Sequence, residues 1–307
     1  MKKVIKIGTR RSALALQQAH WVRERLCLLD KDLDIQLVKI RTKGDKLLDA
    51  PLAKIGGKGL FVKEIEEALL EGYIDLAVHS MKDLPTDLPP GLIIGAIPVR
   101  EDPRDVLITT STPSFRDLRE RARLGTSSLR RKAQLLHYRP DLEIIPIRGN
   151  LDTRIRKLEP EKLDGIVVAG AGLIRMGWRD KIVEFLDPGI CLPAPGQGAL
   201  AIEIREDSWE ELSLLHSLND LDTCLAVTAE RAFLKGLGGG CQIPIAALGE
   251  IRGPELHLTG VVSSPEGDIF RREVITDNKE GSERLGLTLA ERILDKAIAE
   301  VLAKISS

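Results

Sequence analysis

Through the first two-thirds of the chain, short apolar runs alternate with amphipathic stretches of helical spacing, and that alternation restricts it to an α/β sheet architecture. Val4–Ile7 predicts a strand. Ser12 is placed to N-cap a helix running through Cys27, with Leu14, Ala15, Ala19, Val22 and Leu26 on its inner face. Ile35–Thr42 predicts the next strand. Phe61, Ile65, Ala68 and Leu69 predict a helix over Phe61–Glu71 that Gly72 ends. Asp75–His79 is a further strand with a turn at Leu84-Pro85, and Leu92–Val99 leads into Arg100-Glu101-Asp102-Pro103. A second α/β unit repeats the theme with strand Val106–Thr109, helix Ser127–Tyr138, strand Leu142–Ile147, helix Leu151–Leu158 and strand Gly165–Ala169. Strand Ala199–Ile204, after the Pro- and Gly-rich Leu192–Gly198, returns to the first unit. Beyond Asp220 the pattern changes to helix Asp222–Leu234, strands Ile243–Leu248, Leu256–Val262 and Ile269–Ile275, and a final helix over Glu283–Ala303. The expected domains are therefore 1–99 plus 199–217, 104–193, and an α+β domain over 220–307, with hinges near 100–103 and 194–198. Two α/β lobes joined by two crossings are expected to form a cleft, with ligands at strand C-termini and helix N-termini.

Charge narrows what such a cleft would hold. Residues 100–180 carry 17 Lys+Arg against 12 Asp+Glu, and 14 of the 17 are Arg, whereas residues 181–307 carry 12 against 21. An Arg-rich excess suits carboxylates or phosphates, because the guanidinium fork engages two oxygens at once. Aromatic residues make up only 3% and the pI is near 6.6, which argues against a nucleic-acid partner. Met1-Lys2-Lys3 runs straight into a strand and no apolar run approaches about 18 residues, so neither a signal peptide nor a membrane partner is expected. Cys27, Cys191, Cys224 and Cys241 lack metal-ligand spacing; no metal is expected, and free thiols in the cytoplasm are the simplest reading.

The glycine-rich segments fail as nucleotide motifs. Gly56-Gly57-Lys58-Gly59 has no Ser/Thr after the lysine, and Gly170-Ala171-Gly172 is followed three residues on by Arg175 where a dinucleotide fingerprint needs a small residue. More telling is Gly125-Thr126-Ser127-Ser128-Leu129-Arg130-Arg131. Free N–H groups at a helix start favour an anion. Capping by Ser127 accounts for the hydroxyls, but not for two arginines in a first turn, where the dipole disfavours cations. An anion site is the preferred reading there. Thr9-Arg10-Arg11-Ser12, Arg148-Gly149-Asn150 with Arg154, and Arg175 repeat the theme at other strand–helix junctions. Any one of these is an ordinary surface charge by itself; together they suggest a ligand with several carboxylates. In His79-Ser80-Met81-Lys82-Asp83-Leu84-Pro85, Asp83 either caps a turn or stands as a lone carboxylate among cations, aimed at a developing positive charge. Cys241 follows three glycines, as either a small hydrophobe in a turn or a thiol on an open approach.

These segments, with Gly57–Phe61, Glu101–Asp105, Pro195-Gly196-Gln197-Gly198 and Gly239–Pro244, occur in the order found in hydroxymethylbilane synthases, the porphobilinogen deaminases, which the chain resembles over nearly its whole length. The resemblance implies two lobes like those of type II periplasmic binding proteins plus a small third domain. It implies a dipyrromethane cofactor on Cys241 through a thioether, with Asp83 as the catalytic carboxylate. Lys82, Ser12, Thr126, Ser128, Arg130, Arg131 and Arg154 are implied cofactor contacts. Arg10, Arg148, Arg175, Lys54, Lys58, Phe61 and Gln197 are implied substrate contacts, with Thr42–Lys54 and Gly56–Gly59 near a cover that excludes water. The implied reaction joins four porphobilinogen units head to tail and releases the linear tetrapyrrole by hydrolysis, in a monomer. The rival expectation is a non-enzymatic two-lobed receptor for a polycarboxylate, which explains the arginines but neither Cys241 nor Asp83.

Overall fold

In the computed structural model, which describes residues 4–46, 59, 61–110, 112–210, 212–239 and 243–306, the chain divides into two units. Met1–Glu101 and Ala199–Cys224 form the first; Asp102–Gly198 and Leu225–Ser307 form the second.

The first unit is built on a five-stranded sheet of β1 (Val4–Arg10), β2 (Asp34–Ile40), β3 (Leu76–Ser80), β4 (Leu92–Ala96) and β10 (Leu200–Arg205), in the order β2-β1-β3-β10-β4. Parallel strands covered on both faces read as nearly continuous apolar runs, and β3 is one: Leu76 and Val78 face one core, Ala77 the other. On the first face the helix Ala13–Leu29 buries Ala19, Val22 and Leu26 against Ile5, Ile7, Ile202 and Ile204. Its cap is the expected one, since Ser12 Oγ accepts from the Ala15 N–H at 3.3 Å. On the other face Ile65 and Leu69 of the helix Lys63–Leu70 pack on Ile74 and Ala77.

The second unit holds a sheet of β5 (Asp105–Ile108), β6 (Arg123–Gly125), β7 (Glu143–Ile145), β8 (Gly165–Ala169) and β9 (Glu184–Phe185), ordered β7-β6-β8-β5-β9. Both five-stranded sheets follow one plan. Four parallel strands are joined by one antiparallel strand, and that strand is the first one entered after the chain crosses from the other unit: β10 in one, β5 in the other. The same unit contains the antiparallel meander β11 (Ile245–Arg252), β12 (Glu255–Ser263) and β13 (Phe270–Asn278). Ala229 and Phe233 of the helix Leu221–Gly236 pack on it with Leu285 and Leu289 of the helix Ser282–Ile293. Gly260 makes room for them, because a Cβ there would lie 2.6 Å from the Phe233 ring. The chain is thus α/β with two sheet-bearing lobes and a small α+β C-terminal domain.

Two local expectations fail. The helix expected from Ser127 begins at Leu129, and the Ser127 hydroxyl instead donates to the Ile147 carbonyl at 2.5 Å. The single final helix is two, Ser282–Ile293 and Lys296–Ser306. Between them the Asp295 carboxylate accepts from the Ile298 N–H at 2.8 Å and starts a new helix as its cap. β9 was not anticipated: only two residues long, it is held extended by its pairing with β5.

Candidate functional site

In the first unit the end of β3 runs into a single 3₁₀ turn, Met81–Asp83. Met81 and Leu84 stand three apart, as one 3₁₀ turn requires for a shared face. They are 1% and 4% exposed, and the Leu84 N–H returns to the Met81 carbonyl at 3.2 Å. With both ends anchored inward, Lys82 is half-buried and Asp83 is exposed. The turn is held from two further directions. The Met81 N–H donates to Ala199 O at 3.0 Å, and Gln18 Nε2 donates to Ser80 Oγ at 2.8 Å. Asp83 borders a recess of about 70 Å³ with Arg10, Ser12, Gln18, Phe61 and Ser80. The Arg10 guanidinium lies 4.2 Å from the Phe61 ring centroid, a cation–π contact that aligns it. The Phe61 ring in turn lies on Gly44, where a Cβ would come within 2.2 Å of it. A carboxylate, a guanidinium and a hydroxyl therefore share one small polar recess, which suits a ligand carrying both an acid group and a site of developing positive charge.

The second unit contains a different arrangement. Arg130 and Arg131, in the first turn of the helix Leu129–Tyr138, are 6% and 5% exposed, and both turn onto Asp105 at the start of β5, which is 0% exposed. Arg130 Nη1 and Nη2 donate to the two Asp105 oxygens at 2.6 and 3.3 Å, and Arg131 Nη2 donates at 2.8 Å. Arg130 also donates to Leu192 O at 2.7 Å and Gln197 Oε1 at 3.2 Å, while Gln197 Nε2 donates to Asp105 at 2.8 Å and to Pro103 O at 2.6 Å. Burial alone would raise the Asp105 pKa; the guanidiniums of Arg130 and then Arg131 hold it well below the usual carboxylate range instead. The anion that the arginine pair called for is thus one of the chain's own residues, and sequence spacing did not disclose it. One carboxylate does not neutralise two guanidiniums, and Arg131 Nε is buried with no hydrogen-bond partner among the described residues. Cys191 donates to Asp105 at 3.2 Å, and burial, followed by that negative charge, pushes its thiol well above its ordinary range. It is an inert thiol.

Around this cluster, Thr126 is 2% exposed and its Oγ1 accepts from the Ser128 N–H at 3.3 Å. Half-buried Arg148 opens the Arg148-Gly149-Asn150 junction, where Arg154 Nε donates to Gly149 O at 2.8 Å. Arg175 ends the short helix Gly170–Arg175 and donates to Gly198 O at 2.6 Å. The structure thus gathers Arg10, Ser12, Phe61, Lys82 and Asp83 in one unit and Thr126, Ser128, Arg130, Arg131, Arg148, Arg154, Arg175 and Gln197 in the other. Lys54, Lys58 and Cys241, with most of the expected cover, lie outside the described residues.

Sequence reasoning missed Gln18, Asp105 and a buried trio of His79, Glu66 and Glu203. The hydrogen-bonded partners of Gln18, Asp105 and His79 in these pairs are 25 to 124 residues away along the chain, and no local spacing reports such pairs.

Two family models match the chain: "Porphobilinogen deaminase, dipyromethane cofactor binding domain" over residues 5–212 and "Porphobilinogen deaminase, C-terminal domain" over 224–295. Among similar proteins, the porphobilinogen deaminase of Syntrophotalea carbinolica is 53% identical over 299 residues, covering 97% of this chain and 95% of its own. That of Bacillus subtilis is 50% identical over 307 residues, covering 99% and 97%. Among solved structures, a putative methionine-binding lipoprotein from Bacillus subtilis aligns with a TM-score of 0.44 at 13% identity, covering 71% of this chain and 91% of that one.

Proposed function

Because the chain belongs to the porphobilinogen deaminase family, we propose that it acts as a hydroxymethylbilane synthase, a transferase joining four porphobilinogen units on a dipyrromethane primer. The observation that carries this reading is Asp83, displayed by two buried anchors into a recess shared with Arg10 and Ser12.

The second unit fits a carboxylate-bearing cofactor. Its arginine cluster holds one more cation than anion, and a buried Nε of Arg131 is left to donate. In this reading Cys241 forms the thioether, while Arg131, Arg154, Lys82, Ser12, Thr126 and Ser128 bind the cofactor's acetate and propionate groups. Arg130, whose terminal N–H groups already have partners, acts chiefly by holding Asp105 and Arg131 in place. When bound, the dipyrromethane supplies the nucleophilic ring carbon to which the first unit is joined. Arg10, Arg148, Arg175, Lys54 and Lys58 take substrate carboxylates. Phe61 aligns Arg10, and Gln197 braces the arginine pair. Asp83 accepts pyrrole N–H bonds and stabilises the positive charge that develops on porphobilinogen as its amine leaves. At about 4 Å and an effective dielectric near 20, that is worth about 4 kcal/mol, or roughly a thousandfold in rate if felt only in the transition state.

The three sheets correspond in this proposal to domains 1–99 plus 199–217, 104–193 and 220–307. The protein is proposed to be a cytoplasmic monomer, acting on porphobilinogen with neither nucleic acid nor membrane as partner. In support, Cys27 and Cys191 are free thiols, and among the described residues no helix is long and apolar enough to cross a membrane.

The test is an intact-mass spectrum of the purified protein beside ammonia release from porphobilinogen. The expected result is the sequence mass plus a two-pyrrole adduct, absent from Cys241→Ser, with ammonia released on substrate addition. A polycarboxylate receptor would show the sequence mass alone and release no ammonia.

A further inference from the structure

Behind the recess, in the same unit, lie three buried ionisable side chains that the reaction as described leaves without a task. His79, on β3, borders the recess beside Ser80, and its Nε2 lies 3.0 Å from Glu203 Oε2 on β10. Their side chains are 3% and 0% exposed. Glu66, on the helix Lys63–Leu70, is 7% exposed, and burial raises its pKa to about 7, the Glu203 charge adding to the effect and His79 opposing it. Glu66 Oε1 and Glu203 Oε1 are both buried with no hydrogen-bond partner among the described residues. A carboxylate oxygen in that condition is costly when charged, so Glu66 favours holding its proton.

Glu66 is not sealed away. It borders a separate groove, of about 480 Å³, with Gly59, Lys63, Leu70, Pro85 and Leu88. The elements packed around it bring few other charges. Its own helix brings Glu67, whose Oε1 lies 3.9 Å from Lys63, and the segment after the 3₁₀ turn brings Asp87 to the same groove. β10 adds Arg205, which donates to Leu69 O and Ile74 O; β1 adds Lys6 over Tyr73 and Arg10 over Phe61; β4 has no charged residue.

We propose that Glu66, Glu203 and His79 form a proton switch for the recess, in which loss of the Glu66 proton adds a second buried negative charge and deepens the potential felt by positive charge developing beside Asp83. The three are positioning residues, acting through the field at the recess. The proposal rests on the reading of that recess as the reacting site. Turnover is then expected to rise several-fold between about pH 6 and 8 as Glu66 ionises, an effect of the size expected for one charge acting across a partly buried gap.

The experiment compares kcat and KM across that range for the wild type, Glu66→Gln and the exposed control Glu71→Gln. It is paired with ¹³C NMR of glutamate carboxyl carbons, which reads the switch without any turnover. Expected are a carboxyl signal titrating near neutral pH that Glu66→Gln removes, and a kcat profile in Glu66→Gln that stays flat at the wild type's low-pH level with KM unchanged, while the control follows the wild type. Glu203→Gln, which removes the neighbouring charge, is expected to move both midpoints to lower pH. Absence of the neutral-range signal overturns the switch, and so does a Glu66→Gln profile parallel to the wild type's. A failure of the recess reading shows separately, as normal turnover by Asp83→Asn with the NMR titration intact.

Discussion

Two strand–helix junctions that read alike in sequence do opposite things in the fold. At Thr9-Arg10-Arg11-Ser12 the serine caps the following helix and Arg10 stays half-buried at the rim of a recess. At Gly125–Arg131 neither Ser127 nor Ser128 caps with its side chain, and both arginines turn inward onto a wholly buried aspartate. The difference teaches that hydroxyls and arginines at a helix start do not by themselves define a ligand site; the charges folded in from elsewhere decide it. Asp83 and Asp105 express the same contrast: one carboxylate is displayed, the other is clamped.

The sharpest way to break the comparison is to neutralise the displayed carboxylate. Asp83→Asn is expected to lower kcat by roughly a thousandfold while shifting unfolding free energy by no more than about 0.5 kcal/mol, as steady-state kinetics and urea titration would record. A comparable loss of stability would mean that Asp83 is clamped too. For the other carboxylate the expectation reverses. Asp105→Ala leaves two buried guanidiniums uncompensated and is expected to destabilise the protein by about 3–5 kcal/mol by chemical denaturation. Asp105→Asn keeps part of the hydrogen bonding and should lose less.

Next in size are two opposed pH dependences. The Asp105 pKa is depressed by folding, so its stabilisation is present above the unfolded value near 3.8 and is lost as the pH falls through the lower folded value. The Glu66 pKa is raised to about 7, so its contribution is complete below 4.5 and is lost as the pH rises from 4.5 towards 7. Thermal unfolding against pH is expected to show Asp105→Asn flattening only the acid limb and Glu66→Gln only the limb between 4.5 and 7. Smallest are the serines. Ser12→Ala is expected to cost about 1 kcal/mol through the lost cap, and Ser128→Ala close to nothing. Equal losses at the two positions would erase the distinction between the junctions.

What could be read from the sequence follows the range of the forces involved. Helical spacing within Phe61–Glu71 located the helix Lys63–Leu70, and the apolar run Gly165–Ala169 is β8 as observed, because burial patterns along a single element are local. Ser12 was legible for the same reason. Asp295 was too, in principle: it stands three residues before Ile298 and caps it, yet the apolar periodicity on either side concealed the break. The Asp105–Arg130 pair and the His79–Glu203 pair were not legible, because the chain brings them together only through sheet order, across 25 and 124 residues. Asp83 lay between the two cases: its turn was visible, but its display depended on Met81 and Leu84 both finding cores.

The swapped antiparallel strands carry a consequence for synthesis. β10 lies between β3 and β4, so a nascent chain that has not yet produced Leu200–Arg205 has β4 with no neighbour to join and β3 with one bare edge. The N-terminal sheet therefore waits on the ribosome until the whole of the second lobe has been translated, and the turn bearing Lys82 and Asp83 gains its bond to Ala199 only then. The turn that carries Asp83 is thus completed only after the second lobe has been made, and before the C-terminal domain.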